Sequence, residues 1–365
     1  MMINELFILT LALILALMLL WGFSALPQEK WQILVSMPKM KEESGIWKGI
    51  NFTYYGLFTA NAYVAAVAIM FALLGSLAVP MYISMVEAAV ILAVCVPASR
   101  IIARLVEKQP NTFTVGGASF AGLVTAPWVF WLINQTLGKG AGVQVPVLTS
   151  LAALTSSYAL GEGIGRLACI SFGCCYGKPL AKSHPFFQKL FEKRNFIFFG
   201  HTKKVAYEGG LDGQKVIPIQ AITSIIYTGS GLLGVYLFLN GYYAAAFLQT
   251  LITTQAWRII SEFFRADYRG KGDFSAYQIM GMISVPYAVF ISWWFAIPHL
   301  QNANIVAGLR SLWNPVMILF LQFLWMSIFL FTGRSQVTEA AMSFHVVRTC
   351  PPSGEGLQRA ALEIQ

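Results

Sequence analysis

The stretch from Tyr55 to Ala78, YGLFTANAYVAAVAIMFALLGSLA, contains no charged residue. A helix needs about 20 apolar residues to cross the roughly 30 Å hydrocarbon core of a bilayer. A strand of a membrane barrel would instead alternate apolar and polar side chains. This stretch therefore predicts a transmembrane helix, and the rest of the chain can be searched for segments of the same kind.

The composition extends this interpretation to the whole chain of 365 residues, of which 57% are hydrophobic and 11% are charged. Such a balance excludes an ordinary soluble domain. We interpret the first span as a retained helix and not a signal peptide, because no basic residue precedes it. The sequence predicts an all-α, polytopic transmembrane bundle of about nine helices, over residues 4–26, 55–78, 84–102, 114–136, 145–165, 219–240, 243–263, 275–298 and 311–333.

The 25 lysine and arginine residues are distributed unevenly between the two sides of such a bundle. One side receives only Lys139 and Arg310, and the other side receives all the rest. The positive-inside rule makes the basic side cytoplasmic, with the N-terminus outside. Binding of anionic lipid headgroups would favour the same clustering, so both explanations stay open.

Two segments outside the spans have distinct compositions. Residues 178–216 combine basic and aromatic side chains, which predicts an interfacial arm with its rings in lipid or a small folded cap. Residues 335–365 form a polar tail rich in proline and glycine, which we expect to be poorly ordered.

Ionisable side chains inside or at the edge of a span are costly, so each is a candidate functional residue. Arg258 and Glu262 stand four residues apart, so a helix places them on one face where they can pair, and Arg265 continues that face. A buried ion pair that only fixes the helix position would show the same spacing. The full set is Glu87, Arg100, Glu162, Arg166, Arg258, Glu262 and Arg265.

Arginines at one membrane face suit an anionic phosphate, because the guanidinium group donates parallel hydrogen bonds and keeps its charge at low dielectric. Arg166 closes the fifth predicted span and Arg100 follows the third, although either could be a plain interfacial anchor. Glycines beside Arg166 permit close backbone approach, and their exposed amides can hold phosphate oxygens. The sequence therefore predicts an anionic phospholipid as the ligand.

The adjacent cysteines Cys174 and Cys175 invite two chemical interpretations. No second cluster of cysteine or histidine stands nearby in the sequence, so we expect no metal, and we expect no cofactor. A nucleophilic thiol activated by Arg166 is an alternative. The preferred interpretation is that these small side chains pack in a tight turn.

Four segments resemble, in the same order, conserved segments of the prolipoprotein diacylglyceryl transferase family. The third is similar to the family signature G-R-(I/L)-G-N-F-x-N-G-E-x-x-G. One such match is weak, whereas four in order indicate a divergent member of the family. The segments are FTYYGLF (52–58), VGGASFAGL (115–123), GIGRLACISFGCCYG (163–177), and WRIISEFFRADYRG with YQIMGMISVP (257–270 and 277–286).

The resemblance implies a membrane domain over 51–300. An extra N-terminal transmembrane helix and connection (1–50) would precede it, and an extra C-terminal helix (301–334) would follow it. The implied activity moves the diacylglyceryl group of phosphatidylglycerol to the thiol of a prolipoprotein cysteine, at a bacterial-type inner membrane, with release of glycerol phosphate. No nucleic-acid partner is expected.

The resemblance also implies roles for particular residues. Arg166, Arg258 and Glu262 would be catalytic, with Glu262 orienting Arg258. The resemblance and the arginines and glycines noted above together give eight candidates for substrate binding: Tyr55, Arg100, Gly116, Gly117, Ser119, Gly165, Gly177 and Arg265.

The chain departs from the family pattern at the acceptor side. Ala121 stands where the family has a histidine, which removes the most evident base for an incoming thiol. Cys169 and Cys174 replace an asparagine and a glutamate.

The charge distribution raises a second difference. The family carries its signature at the periplasmic face, whereas here the signature lies on the basic side, which the positive-inside rule makes cytoplasmic. A cytoplasmic site could not meet an exported cysteine. A lipid or small-molecule nucleophile at the cytoplasmic face is therefore an alternative acceptor, and a non-catalytic phospholipid-binding protein is a further alternative.

Overall fold

The protein is described here by a computed structural model, in which residues 2–107, 114–140, 142–267, 274–296 and 303–344 are described. Three short helices in these ranges are α6 (Pro185–Phe191), α7 (Lys204–Tyr207) and α11 (Ile305–Leu312). Nine helices in the same ranges have 18 residues or more: α1 (Met2–Ala25), α2 (Tyr54–Gly75), α3 (Met81–Glu107), α4 (Val115–Ile133), α5 (Val147–Phe172), α8 (Ile219–Leu239), α9 (Tyr243–Ser261), α10 (Ala276–Trp294) and α12 (Pro315–Thr332).

The long helices coincide with the nine predicted spans, so the all-α polytopic fold is confirmed. Among the described helices, α1, α2, α3, α4, α8 and α12 are long and apolar enough to cross a membrane. Polar side chains make α5 and α9 less apolar, including Glu162 and Arg166 on α5 and Arg258 on α9. These two helices thus carry three of the seven ionisable candidates.

The predicted end of the fifth span at residue 165 is wrong by two turns. Helix α5 continues to Phe172 and ends where Gly173 takes a left-handed conformation with φ +72°. Glycine adopts that conformation without a steric penalty and commonly terminates helices. Arg166 consequently lies within the last turns of α5 and does not close the span.

Helix α5 is the centre of the bundle, in contact with α2, α8 and α9. Its approach to α8 depends on Gly163, where an added Cβ would lie 2.4 Å from Thr228 Oγ1. The hydroxyl of Ser224 on α8 donates a 2.6 Å hydrogen bond to the carbonyl of Gly163. Small residues allow such close helix packing, which fixes the backbone of α5 just before the turn that holds Arg166.

A three-stranded antiparallel sheet lies at one end of the bundle, in the order β1 (Ile33–Lys41), β2 (Trp47–Thr53) and β5 (Arg334–Met342). The register of β2 and β5 pairs Trp47 with Met342 and Ile50 with Glu339. The expectation of a poorly ordered tail is therefore wrong for residues 335–342. Residues 345–365 of the predicted tail lie outside the described residues.

The predicted arm over 178–216 forms a small cap. It contains α6, α7 and the two-stranded pairing of β3 (Phe196–Ile197) with β4 (Lys215–Val216). Phe198 is fully buried within it, whereas Phe186 is 63% exposed. The segment therefore combines a feature of each sequence interpretation: it folds as a small cap, and it also exposes an aromatic ring.

Lys203 joins the cap to the bundle. Its fully buried ammonium donates hydrogen bonds to the carbonyls of Leu26, at 3.2 Å, and Ser171, at 2.6 Å. Burial lowers the pKa of Lys203 to about 8, because the charged form loses its hydration. The ends of α1 and α5 are held to the cap at this point.

The sequence divided the connections between helices into a basic group and a group with few basic residues. In the structure, these two groups lie at opposite ends of the bundle. At the basic end, β2 pairs with β5 and the Lys178 amide donates to the Phe264 carbonyl at 2.9 Å. At the other end, the Asn304 amide donates to the Ser76 carbonyl at 3.0 Å. Among the described residues, the basic side chains other than Lys139 and Arg310 therefore lie around one mouth of the bundle.

Candidate functional site

The last turns of α5 bring a line of polar side chains to one face of the helix. Tyr158, Glu162, Arg166 and Cys169 follow one another at spacings of four, four and three residues, which a helix places on one side. Arg258, in the last turn of α9, faces the same line. These residues form the polar centre of the bundle at its basic end.

Glu162 holds both arginines. One oxygen, Oε1, accepts a hydrogen bond from Arg166 Nη2, and the other, Oε2, lies 3.1 Å from Arg258 Nη2. The Tyr158 hydroxyl also donates to Glu162 Oε2, and it accepts a 2.9 Å hydrogen bond from Arg258 Nη2. One buried carboxylate therefore sets the positions of two buried guanidinium groups.

The arginines keep unused hydrogen-bonding capacity. The Nε–H groups of Arg166 and Arg258 are buried and have no hydrogen-bond partner among the described residues. Two guanidinium groups against one carboxylate also leave a net positive charge. The cluster therefore suits an anion that can accept several hydrogen bonds.

A polar cavity of about 680 Å³ opens beside this cluster. Residues from α2, α4, α5, α8, α9, the cap and β5 line it. Arg265, Lys204 and Arg334 lie on its wall with Arg166 and Arg258, and these five basic side chains face four carboxylates, which leaves an excess of one positive charge. Its size and charge fit a phosphate-containing headgroup.

The start of α4 makes room for Arg258. A Cβ added at Gly116 would lie 2.8 Å from Arg258 Nη1 and 2.9 Å from Tyr277 Cδ1. Thr114 caps the helix by accepting a hydrogen bond from the Gly117 amide at 3.4 Å. Gly116 therefore leaves the space that the Arg258 guanidinium group occupies, because it has no side chain.

The predicted pairing of Glu262 with Arg258 does not occur between these described residues. Helix α9 ends at Ser261, and the 3₁₀ turn of Glu262–Phe264 turns the Glu262 carboxylate toward Arg265, at 3.7 Å. Arg265 also pairs with Asp267 at 2.6 Å. Burial opposes the charge of Arg265, but the neighbouring groups, with the Asp267 carboxylate first among them, together raise the pKa of Arg265 above its ordinary value.

The other predicted binding residues lie at different distances from the cluster. Tyr55 lines the polar cavity and contacts Phe172, with their ring centres 5.6 Å apart. Arg100 is exposed, lies over the ring of Phe331 at 3.9 Å, and lines neither cavity. Gly177 pairs with Arg265 in a β-bridge and holds the turn after α5 against the end of α9.

A second, apolar cavity of about 240 Å³ adjoins the first. It extends between α2, α3, α4, α5 and α9 and includes the predicted residues Ser119 and Gly165 in its lining. Tyr55, Glu162 and Arg166 line both cavities. The polar cluster therefore stands at the boundary between a charged chamber and an apolar one.

Tyr158 and Lys204 were not among the predicted site residues, and Glu162 was an ionisable candidate to which no catalytic or binding role was assigned. The signal for Glu162 was present, because it is an intramembrane carboxylate four residues before Arg166. The position of Lys204 depends on the fold of the cap and has no comparable signal in the sequence.

Comparison with known families agrees with this arrangement. Residues 45–294 match the family described as "Prolipoprotein diacylglyceryl transferase". The chain belongs to this family. No individual curated protein matches the chain.

Membership of the prolipoprotein diacylglyceryl transferase family identifies a multi-pass membrane transferase of lipoprotein biosynthesis, with a phospholipid donor and a lipoprotein acceptor. The match spans α2 to α10 and so includes both arginines, Glu162 and the apolar cavity. The polar cavity is also lined by residues of α12 and β5, which lie outside the match.

We predict that Glu162→Gln destabilises the protein by about 3–5 kcal/mol, because it leaves two buried guanidinium groups without their carboxylate. The free energy of unfolding in mixed micelles measures this loss. The control is Glu42→Gln, which removes the exposed partner of Lys48, at 2.8 Å, and should change stability little. Equal effects of the two substitutions would contradict the role assigned to Glu162.

Proposed function

We propose that the Arg166–Glu162–Arg258 cluster binds the phosphate of an anionic phospholipid such as phosphatidylglycerol, and that the protein transfers its diacylglyceryl group to a prolipoprotein thiol. The observation that carries this proposal is the pair of buried arginines on one carboxylate, with unpaired Nε–H groups and a charged cavity beside them.

The two cavities match the two parts of such a lipid. The charged chamber suits the glycerol phosphate headgroup, and the apolar chamber suits an acyl chain. Tyr55, Glu162 and Arg166 line both cavities, so a lipid that occupied both would have its glycerol–phosphate bond beside Arg166.

The reaction at this point is a displacement at carbon. The acceptor sulfur forms a bond to the terminal carbon of the diacylglycerol moiety, and the carbon–oxygen bond breaks with its electron pair remaining on the phosphate. The arginines would stabilise the charge on that departing phosphate. The thiol proton passes to solvent or to the released glycerol phosphate.

Glu162 acts in this proposal as a positioning residue. Both of its oxygens already accept hydrogen bonds from Arg166, Tyr158 and Arg258, which suits a carboxylate that fixes arginines and not one that removes a proton. Glu262 would position Arg265 on the cavity wall. This replaces its predicted role beside Arg258.

We predict that Arg166→Lys and Arg258→Lys each lower the turnover number by about 10²–10³-fold, because lysine keeps the charge but loses the planar set of donors. The assay follows release of glycerol phosphate from headgroup-labelled phosphatidylglycerol in the presence of a lipobox peptide. The matched control is Arg310→Lys on an exposed position at the opposite end of the bundle.

Activity of either variant within a few-fold of wild type would contradict this role of the arginines. Binding of phosphatidylglycerol by the wild type without release of glycerol phosphate would instead support a non-catalytic phospholipid-binding protein.

A second candidate acceptor is favoured by the charge distribution. Nearly all basic residues surround the mouth that holds the site, and the positive-inside rule would turn that mouth to the cytoplasm. There the acceptor would be a lipid or a small-molecule nucleophile, with the same phosphate site and the same leaving group.

Cysteine accessibility separates the two acceptors. For an exported prolipoprotein acceptor, Lys193→Cys on the exposed surface of the cap should react with an impermeant thiol reagent in intact cells. Lys139→Cys, exposed at the opposite end, should react only after the cells are permeabilised. The reverse pattern would contradict the prolipoprotein acceptor and favour the cytoplasmic one.

A further inference from the structure

Three cysteine thiols converge on the wall of the polar cavity. The Sγ atoms of Cys169, Cys174 and Cys175 all lie within 4.8 Å of one another. In the sequence only the adjacent pair stands out, because Cys169 is five residues away. The third thiol becomes apparent only when the end of α5 is seen in three dimensions.

The backbone after α5 is shaped to bring these thiols together. Gly173 and Cys175 both adopt left-handed conformations, with φ +72° and +54°. That conformation is unfavourable for a residue with a Cβ, and such strain persists where the surrounding structure imposes it. The two reversals turn the chain back so that Cys174 and Cys175 face the last turn of the helix.

The cluster is accessible to a small ligand. All three cysteines are partly buried, and all three line the charged cavity. An ion held by the three sulfur atoms would therefore have one side toward the cavity, where a fourth ligand can enter.

Positive charges surround the thiols. Arg166 Nη1 lies 4.0 Å from Cys169 Sγ, and Lys204 and Arg265 line the same cavity. Three thiolates and one divalent cation carry a net charge of about −1, which the excess of one positive charge in the cavity lining would offset.

We propose that Cys169, Cys174 and Cys175 form a three-thiolate site for Zn²⁺, with an open fourth position toward the arginine cavity. Zinc binds thiolate sulfur at about 2.3 Å in tetrahedral geometry, which places sulfur atoms about 3.8 Å apart. The observed separations reach this arrangement by small side-chain shifts. Three protein ligands and one open position are typical of catalytic zinc.

A catalytic role for this zinc site rests on the proposed transferase function, to which the site would add a means of activating the acceptor. The chain has Ala121 where a histidine base would be expected, and zinc supplies a different means of ionising an acceptor thiol. The thiol would lose its proton to water on binding zinc. Its sulfur would then form the bond to the diacylglycerol carbon, while the electron pair of the breaking carbon–oxygen bond stays with the phosphate held by Arg166 and Arg258.

Zinc binding can be measured without any lipid or acceptor. An absence of zinc binding is therefore distinguishable from an absence of the proposed transferase activity. The test uses the full-length protein with Cys350→Ser, purified under reducing conditions and incubated with Zn²⁺ alone. We expect one zinc per chain. Cys174→Ser and Cys175→Ser should each weaken binding at least tenfold, and Cys95→Ser, a cysteine of the apolar cavity, should leave binding unchanged.

X-ray absorption of the zinc-loaded protein keeps the proposal testable if a serine variant fails to fold. We expect three sulfur ligands at about 2.3 Å and one lighter ligand. Absence of stoichiometric zinc, a shell of nitrogen and oxygen ligands, or a disulfide that forms in place of metal binding would each overturn the proposal.

Discussion

A single buried carboxylate between two buried arginines is the interaction on which the rest of the site depends. Glu162 holds Arg166 from its own helix and Arg258 from α9, and both side chains are about 90% shielded from solvent. An isolated charge in such surroundings is strongly unfavourable, so the three groups are stable only together. The close packing of α5 between α2, α8 and α9 is what allows them to meet.

The chemistry of the site follows from its excess of positive over negative charge. Two guanidinium groups and one carboxylate leave a positive charge at the boundary between a polar cavity and an apolar one. A phospholipid has the complementary distribution, with a phosphate between a polar headgroup and its acyl chains. In the proposed function Arg166 and Arg258 hold the phosphate. Cys169 and Cys174, which stand where the resembled family pattern has an asparagine and a glutamate, lie with Cys175 in one thiol cluster.

Much of this architecture could be predicted from the sequence, because apolar stretches long enough to span a membrane are governed by a simple length requirement. Arg166 and Arg258 were identifiable as costly intramembrane charges. The partner of Arg258 was mispredicted, since the i,i+4 rule assumes that the helix continues, and α9 ends at Ser261. The convergence of Cys169 with Cys174 and the pairing of β5 with β2 depend on left-handed turns and distant contacts that local spacing does not encode.

An experimental structure of the protein with phosphatidylglycerol bound tests the role of the Arg166–Glu162–Arg258 cluster most directly. We expect the lipid phosphate within hydrogen-bonding distance of Arg166 and Arg258, with both arginines still paired to Glu162 and an acyl chain in the apolar cavity. A phosphate bound at Arg100, or an Arg258 that leaves Glu162 to pair with Glu262, would contradict it.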